Sequence, residues 1–343
     1  MRLFLSMFIL FAFCGRLWTS PAATVLPPQR ETFLLIVEPR AEPEPESEPE
    51  PLPAAEPEGP RSRSDPALTV RFHTDGGVQE LPLDEYLTCV LLSELLPCFG
   101  EETFRAQAVA ARTVTVRNSA SGRHEGGGVC GDPGCCQAYH TPAELAQMLG
   151  RSFVTAWDKA RAAVLDTDGE ILLYGGEPIE ALYFSCSGGA SEPASAVWGC
   201  DLPYLQSVQS PGEENALKYT SGKTVSVSDF RQTMLNVRPD CDLSGAPETW
   251  FGSFERSAGG GVRTAQIGGA YFSGTGLRAL FGLASTNFTV TAEGDSIRFA
   301  VRGSGHRVGM SQYGAEAMAQ SGSTYREILS HYYTGVEFGT LGP

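Results

Sequence analysis

The chain has 343 residues and 42% hydrophobic content, enough for one large packed domain or two small ones. Its 40 acidic and 25 basic side chains leave a formal net charge of −15. That argues against a nucleic-acid partner, because gripping a phosphate backbone needs clustered Lys and Arg.

In chain order, the first segment reads as a targeting signal. Met1-Arg2 gives a positive start, Leu3 to Cys14 is almost wholly apolar, and Arg16 ends the run. The run is shorter than the roughly 20 residues a membrane span needs. Residues 1–20 are therefore expected to be a signal peptide, with a small-residue cleavage site near Ser20-Pro21-Ala22-Ala23, or a short uncleaved membrane anchor. Phe13 stands where a lipoprotein needs a small residue before Cys14. Residues 21–65 form a Glu/Pro-rich linker, EPRAEPEPESEPEPLPAAEPEGP at 38–60. Proline removes backbone donors and the glutamates repel, so the segment is expected to be a disordered, extended spacer rather than an acidic binding tail.

Residues 66–343 are expected to form one large α+β domain of mixed helices and short strands around an active-site cleft, since strict βαβ alternation is absent. Leu68 to His73 alternates like a strand, Gly76-Gly77 is a turn, and Pro82 opens a helix over Leu83–Leu95 with Asp84 and Glu85 in its first turn. A second helix is predicted from Glu101 to Asn118, since Ala106, Val109, Ala110 and Thr113 recur at three- and four-residue steps. A Gly- and Cys-rich loop fills 119–137. Helices follow at Pro142–Met148 and Phe153–Val164, then strands at Ile171–Tyr174 and Ile179–Ser185 around a Gly175-Gly176 turn. Residues 211–224 read as loop, and Ser228 as the cap of a helix from Asp229 to Leu235. A strand at Val262–Ile267, a helix at Gly276–Phe281, a hairpin of Phe288–Thr291 with Ile297–Val301, and helices at Gln312–Gln320 and Tyr325–His331 complete the reading.

Three segments carry chemistry. In the first, Ser93-Glu94-Leu95-Leu96-Pro97, Glu94 closes a helix among Leu91, Leu92, Leu95 and Leu96. Apolar surroundings disfavour its charged form, so it can hold a proton near neutral pH and act as an acid. The plain alternative is a solvent-facing helix-terminal Glu. The second is Tyr183-Phe184-Ser185-Cys186-Ser187-Gly188-Gly189, followed by Glu192 and Trp198-Gly199. Small residues there let backbone approach a ligand, and Trp198 can stack on a sugar face; the alternative is a tight turn. The third is Gly303-Ser304-Gly305-His306-Arg307-Val308-Gly309-Met310-Ser311-Gln312-Tyr313-Gly314-Ala315, a glycine-rich turn carrying His306 and Gln312. Its alternative is a structural turn with a satisfied His.

Nine cysteines is a high count. Export permits disulfides, but their pairing is not readable from sequence. In the loop at 124–136, His124, Cys130 and one of Cys135 or Cys136 have zinc-ligand spacing. A disulfide or plain thiols are the alternative, and adjacent cysteines are not expected to share one metal. A thiol nucleophile at Cys186 lacks a basic neighbour in sequence.

Together these segments resemble the stage II sporulation protein D family, the SpoIID/LytB group. The shared text is SELLPxFxxExFRAQAVAARTxxxR, then CQAY at 136–139, YFSCSGG with SEPASAVWG, and GSGHRVGMSQYGAEAMAQSGSTYREILSHYYTGVE. The resemblance covers Leu68 to the end. It implies a peptidoglycan lytic transglycosylase with Glu94 as catalytic acid and then base, and with Arg112 helping to bind substrate. With Arg112, the expected substrate-binding set is Gln107, Ser185, Ser187, Gly188, Gly189, His306, Ser311 and Gln312. Family members often carry one residue between the Glu and the Pro, whereas Leu95-Leu96 stand here. Cys136 holds the place of the family's Cys before Gln-x-Tyr, so the resemblance favours His124, Cys130 and Cys136 as zinc ligands bracing the site. It also implies sporulation as the setting, in forespore engulfment, with a cell-wall amidase and a membrane scaffold protein as partners and an extracytoplasmic location between mother cell and forespore. The rival is a non-catalytic enhancer of an amidase, as in the LytB branch. A zinc peptidase is disfavoured because HExxH is absent.

Overall fold

The computed structural model describes residues 68–341; the targeting segment and the whole of the linker lie outside the described residues. The fold is α+β, built from helices and several small sheets. Among the described residues no helix is long and apolar enough to cross a membrane.

The chain opens with a hairpin, β1 (Thr69–Thr74) and β2 (Gly77–Pro82), paired from Thr69↔Pro82 to Thr74↔Gly77. It runs into α1 (Leu83–Glu94), then α2 (Glu101–Ala120). A short strand β3 (Val129–Cys130) adds parallel to β1 and carries the cysteine loop back beneath it. Next come α3 (Pro142–Leu149), started by a Thr141–Glu144 capping box, and α4 (Phe153–Asp166).

Helix α2 is the centre of the molecule. Its Phe104, Ala108 and Ala111 join the core made with α1, α3 and α4. Its Ala106, Val109 and Ala110 face a second core. A helix buried on opposite faces must be apolar nearly all round, and its alanines let both neighbours approach closely.

The second core is completed by β4 (Glu170–Tyr174), β5 (Glu177–Pro178), β6 (Tyr183–Phe184) and α5 (Ala194–Trp198), and by the C-terminal segments described below. The strand expected over Ile179–Ser185 is split. β5 ends at Pro178, and Tyr183–Phe184 pairs in a different sheet. The hairpin makes one more bond, Ile179 N–H to Leu172 O at 3.1 Å, before the chain leaves it.

Residues 220–302 form a unit with its own core. It comprises β7 (Thr220–Ser226), α6 (Val227–Val237), β8 (Phe251–Arg256), β9 (Val262–Ile267), β10 (Ala270–Ser273), α7 (Gly274–Phe281), β11 (Asn287–Glu293) and β12 (Ser296–Arg302). Two sheets, β11-β12-β7 and β10-β9-β8, bury Phe230, Phe281, Phe288 and Phe299 with Trp250. Strand β7 corrects the loop expected through residue 224: its seven residues pair with β12 from Thr220↔Arg302 to Ser226↔Ser296. The α6 cap is Ser226, whose hydroxyl accepts the Asp229 N–H, not Ser228. The ends of this unit lie together, since Gly303 N donates to Tyr219 O at 2.9 Å.

The chain closes with β13 (Met310–Ser311), parallel to β6, then α8 (Gln312–Gln320), α9 (Tyr325–Tyr332) and β14 (Glu337–Thr340), which pairs with β4.

Candidate active site

Glu94 is the last residue of α1. The helix stops because Leu95 turns extended, φ −104° and ψ 150°, as the chain approaches Pro97. Leu95 stays buried and Leu96 is exposed. The two-leucine spacing therefore turns one leucine inward and one outward, and leaves Glu94 on the final helical turn.

The Glu94 carboxyl has two partners. Oε1 accepts the backbone N–H of Ala138 at 3.1 Å, and Oε2 lies 3.5 Å from the Gln312 amide nitrogen. Burial pushes its pKa above the usual carboxylate range, and these two donors only partly oppose that. Tyr183 on β6 lies close enough to feel the Glu94 charge, and burial raises its phenol well above normal. That neutral phenol donates to Gln137 Oε1 at 2.8 Å, while Gln137 Nε2 donates to Thr115 Oγ1 at 2.9 Å. Ser93 Oγ accepts the His140 N–H at 3.0 Å. Residues 137–140 are thus fastened along the end of α1 by four separate side chains. The sequence signal for this strap was the Cys-Gln-x-Tyr stretch, though its role as the support of Glu94 is visible only in three dimensions.

Of the expected substrate-binding residues, the structure brings Gln312 directly to Glu94. Ser311 is buried and caps α8, accepting the Gly314 N–H at 3.2 Å, so it aims Gln312. Ser185 is half-buried, and its carbonyl accepts the Tyr313 N–H at 3.1 Å.

Arg112 is elsewhere. It is 1% exposed and donates to Val164 O at 2.9 Å, Glu170 O at 3.1 Å and Thr167 Oγ1 at 3.3 Å. It ties α2 to the C-terminal end of α4, where a cation satisfies free carbonyls. The guanidinium is enclosed among these oxygens, and the hydrogen bonds named here are structural ones. Gln107 is likewise fully enclosed; its amide lies beside the Tyr183 phenol but makes no well-formed hydrogen bond.

Ser187 and Gly188 are also turned inward. The buried Glu213 carboxylate accepts Ser187 N–H at 2.7 Å, Ser187 Oγ–H at 2.9 Å, Gly188 N–H at 3.2 Å and the Cys186 thiol at 3.1 Å. Ser210 donates to its other oxygen. Gly189 N–H closes on Ser187 Oγ at 2.9 Å. The glycines here serve close backbone approach: a Cβ on Gly188, whose φ is +72°, would stand 2.6 Å from Gly303 N. This segment is a nest around a carboxylate that sequence reading missed. Cys186 is buried beside that carboxylate, and both push its thiol pKa up, the reverse of a nucleophile's need.

His306 belongs to an aromatic group with Phe184 at 5.7 Å and Trp198 at 5.3 Å between ring centroids. Burial, reinforced by the Arg278 charge, pushes its pKa down to about 4. Its Nδ1 accepts the Val308 N–H at 3.2 Å, which leaves the proton on Nε2. Trp198 is 49% exposed. Next to His306, Arg307 adopts φ +66° and is fully buried. It pairs with Glu192 at 2.9 Å and donates to Ser187 O, Ala190 O and Gly259 O. Arg307 through Gly259 O, and Glu192 through the Gly261 N–H at 2.7 Å, clasp the 220–302 unit to the rest of the molecule.

The cysteine loop gathers His124, Cys130, Cys135 and Cys136, with ligand atoms all within 4.8 Å of one another. Cys135 was the residue passed over on the expectation that adjacent cysteines do not converge. The turn Asp132-Pro133-Gly134 overrides that expectation: the Asp132 carbonyl accepts both the Cys135 and Cys136 N–H groups, at 2.9 and 2.7 Å, and swings both sulfurs to one side. A metal centre is compatible with this donor set, as three soft thiol ligands and one imidazole suit a tetrahedral ion.

A family model described as "Stage II sporulation protein" (SpoIID) matches residues 73–174. The chain is 39% identical over 264 residues to the stage II sporulation protein D of Bacillus subtilis (strain 168), covering 76% of this chain and 75% of that protein. It is 35% identical over 334 residues to the stage II sporulation protein D of Bacillus amyloliquefaciens, covering 96% and 94%. A more distant similarity, 26% over 296 residues, joins 72% of this chain to 39% of the amidase enhancer of Bacillus subtilis (strain 168).

Proposed function

Because this chain belongs to the stage II sporulation protein D family, we propose that it is a lytic transglycosylase that cuts peptidoglycan glycan strands during sporulation. The observation that carries this reading is the environment of Glu94: a carboxyl raised by burial, held by one backbone N–H and one amide, with no second acid sharing its hydrogen bonds among the described residues. Hydrolysing glycosidases employ two carboxylates. A lytic transglycosylase needs one.

The proposed step balances internally. Protonated Glu94 gives its proton to the oxygen linking N-acetylmuramic acid to N-acetylglucosamine, and the C1–O bond breaks. The Glu94 carboxylate then takes the proton of that muramic acid's own 6-hydroxyl as O6 bonds to C1. The product carries a 1,6-anhydro ring, no water is consumed, and Glu94 is left protonated. The Ala138 N–H stabilises the carboxylate that forms between the two proton transfers. The Gln312 amide orients its other oxygen. Proximity of the 6-hydroxyl replaces an external nucleophile. Trp198, half-exposed beside the neutral His306, offers a face for a sugar ring.

His124, Cys130, Cys135 and Cys136 would hold a zinc ion whose contribution is to brace the loop leading to Ala138. The protein would act outside the cytoplasm, in the space between mother cell and forespore, tethered or released by its N-terminal segment. The glycan strands would be ones already stripped of stem peptides, and an amidase and a membrane scaffold protein would be its partners. Mass spectrometry of glycan digested by the purified protein tests the reaction. Anhydro-muramic ends that vanish with Glu94→Gln support it; reducing ends would make it a hydrolase.

A second reading rests on the similarity to the amidase enhancer. There the protein binds glycan and stimulates a separate amidase without cutting. Equal behaviour of wild type and Glu94→Gln in amidase stimulation, with no glycan release by either, selects it.

A further inference from the structure

We infer that Arg278 is a carboxylate-binding residue of the glycan site, and that the acid it takes is the free lactyl carboxylate of an N-acetylmuramic acid whose stem peptide has been removed. This role rests on the glycan reading above, and gives it a side chain that tells stripped strands from peptide-bearing ones.

Arg278 stands in the last turn of α7. The helix does not need that side chain to end. Gly282 turns left-handed at φ +61°, its N–H returns to Ala279 O at 3.3 Å, and the Leu283 N–H returns to Arg278 O at 2.9 Å. The guanidinium itself makes one long bond, from Nε to Leu283 O at 3.4 Å. Among the described residues, Nη1 and Nη2 donate to nothing and no carboxylate pairs with the group.

The side chain is also half-buried, and the charge it feels is another cation, Arg307. Burial first, and that cation second, push its pKa down, yet a guanidinium stays charged at neutral pH. Arg105, Arg117 and Arg307 are answered internally, by Glu102 with Asp166, by Glu180 and by Glu192. Arg278 is not. A half-buried cation with a free fork of donors and only like charge beside it is a seat for an anion.

Its place in the fold says which anion. Beyond α7, Ala284 O accepts the Gly305 N–H at 3.0 Å, so this end of the helix lies against the glycine turn that carries His306. The Arg278 charge reaches the His306 ring. His306 in turn meets Trp198 at 5.3 Å and hydrogen-bonds the Tyr183 backbone, and the Tyr183 phenol lies close to Glu94. These contacts join the cation to the acid, with the exposed Trp198 face alongside.

N-acetylglucosamine carries no charge. N-acetylmuramic acid carries one ionisable group, the lactyl acid on a short stalk at O3. While a stem peptide is attached that carboxyl is a neutral amide; hydrolysis of the amide frees it as a carboxylate. Its planar oxygens match the two terminal nitrogens of a guanidinium. A half-buried fork meets an acid held close to the sugar ring, whereas the acids of a stem peptide stand farther out.

The test is calorimetry and glycan-release kinetics on the full-length protein. The probes are glycan strands stripped by an amidase, the same strands with their lactyl acids converted to methylamides, and strands still bearing peptides. Binding is measured in the Glu94→Gln protein, so that nothing is cut. Arg278→Gln should weaken affinity for stripped strands roughly tenfold. In the Glu94 protein it should raise KM by that factor and change kcat by less than about twofold. Methylamide and peptide-bearing strands should bind the Arg278 protein with a similar loss, and Arg278→Gln should add nothing on either. Arg278→Lys should recover part of the affinity. Unchanged affinity of Arg278→Gln for stripped strands, an equal loss on methylamide strands, or indifference of the unsubstituted Arg278 to methylamidation would each overturn the inference. Any of these, with anhydro ends still released by the wild type, would leave the proposed reaction standing. Matched losses in a protein that releases no glycan would keep the carboxylate site and remove the reaction.

Discussion

The Ala138 backbone N–H donates to Glu94 Oε1 at 3.1 Å, joining two residues 44 positions apart in the chain. A backbone donor is the steadiest kind available, because it has no rotamer to lose. It also opposes the burial that keeps the carboxyl protonated. The pair therefore sets a balance: raised enough to donate a proton, supported enough to carry charge afterwards.

Glu94→Gln keeps the shape and the acceptor for Ala138 but removes the proton. Glycan release should fall about 10²- to 10⁴-fold, while the far-ultraviolet dichroism spectrum is unchanged. Retention of more than a tenth of the activity would move the acid elsewhere.

The same variant should alter stability in a pH-dependent way. The folded-state pKa of Glu94 is raised, so ionising it disfavours the native state. Well below the unfolded carboxyl pKa both proteins carry a neutral group and should melt alike. As pH rises through the raised pKa, wild type loses stability that Glu94→Gln keeps. The Tm of the variant should therefore exceed that of wild type at pH 8, with the difference closing on acidification. A constant difference across pH would contradict the burial argument.

Arg112→Ala leaves three oxygen acceptors, at the end of α4 and the start of β4, without this donor in a closed site. A loss of roughly 2–4 kcal/mol in urea unfolding is expected. Arg112→Lys, which keeps the charge but not the fork, should lose about half of that. Both losses should appear equally with and without glycan. A Lys variant of full stability but weakened glycan binding would restore a substrate role.

Glu192→Ala strands the buried Arg307 charge at the clasp between the 220–302 unit and the body. Breaking one partner of a buried pair costs roughly 3–5 kcal/mol. Proteolysis should then cut near Tyr219 or Gly303, where the unit joins the body, ahead of global unfolding.

Trp198→Ala removes a half-exposed ring and should leave Tm nearly unchanged. Affinity for a glycan oligomer should fall roughly tenfold, and quenching of tryptophan fluorescence on glycan addition should diminish. Unaltered affinity would assign the Trp198–His306 stack to packing alone.

Much of this protein was fixed by its sequence. Apolar periodicity and prolines located α1, α2, α8 and α9 to within a residue or two, because helix periodicity and caps are local properties. Glu94 was legible as a carboxyl among leucines at a helix end, and the family text singled it out. Tertiary structure decided what local pattern does not encode. Strands β7 and β14 pair with distant partners, β12 and β4, and edge strands of that kind carry little alternation of their own. For Arg112 the family resemblance implies a substrate role; only packing shows it enclosed against α4. Ser187 and Gly188 read as a ligand loop until Glu213, far along the chain, fills the nest. Cys135 was set aside because adjacent side chains diverge in regular structure, yet the Asp132 turn brings them together. In each case the residue type was chosen by chemistry, and its partner was chosen by the fold.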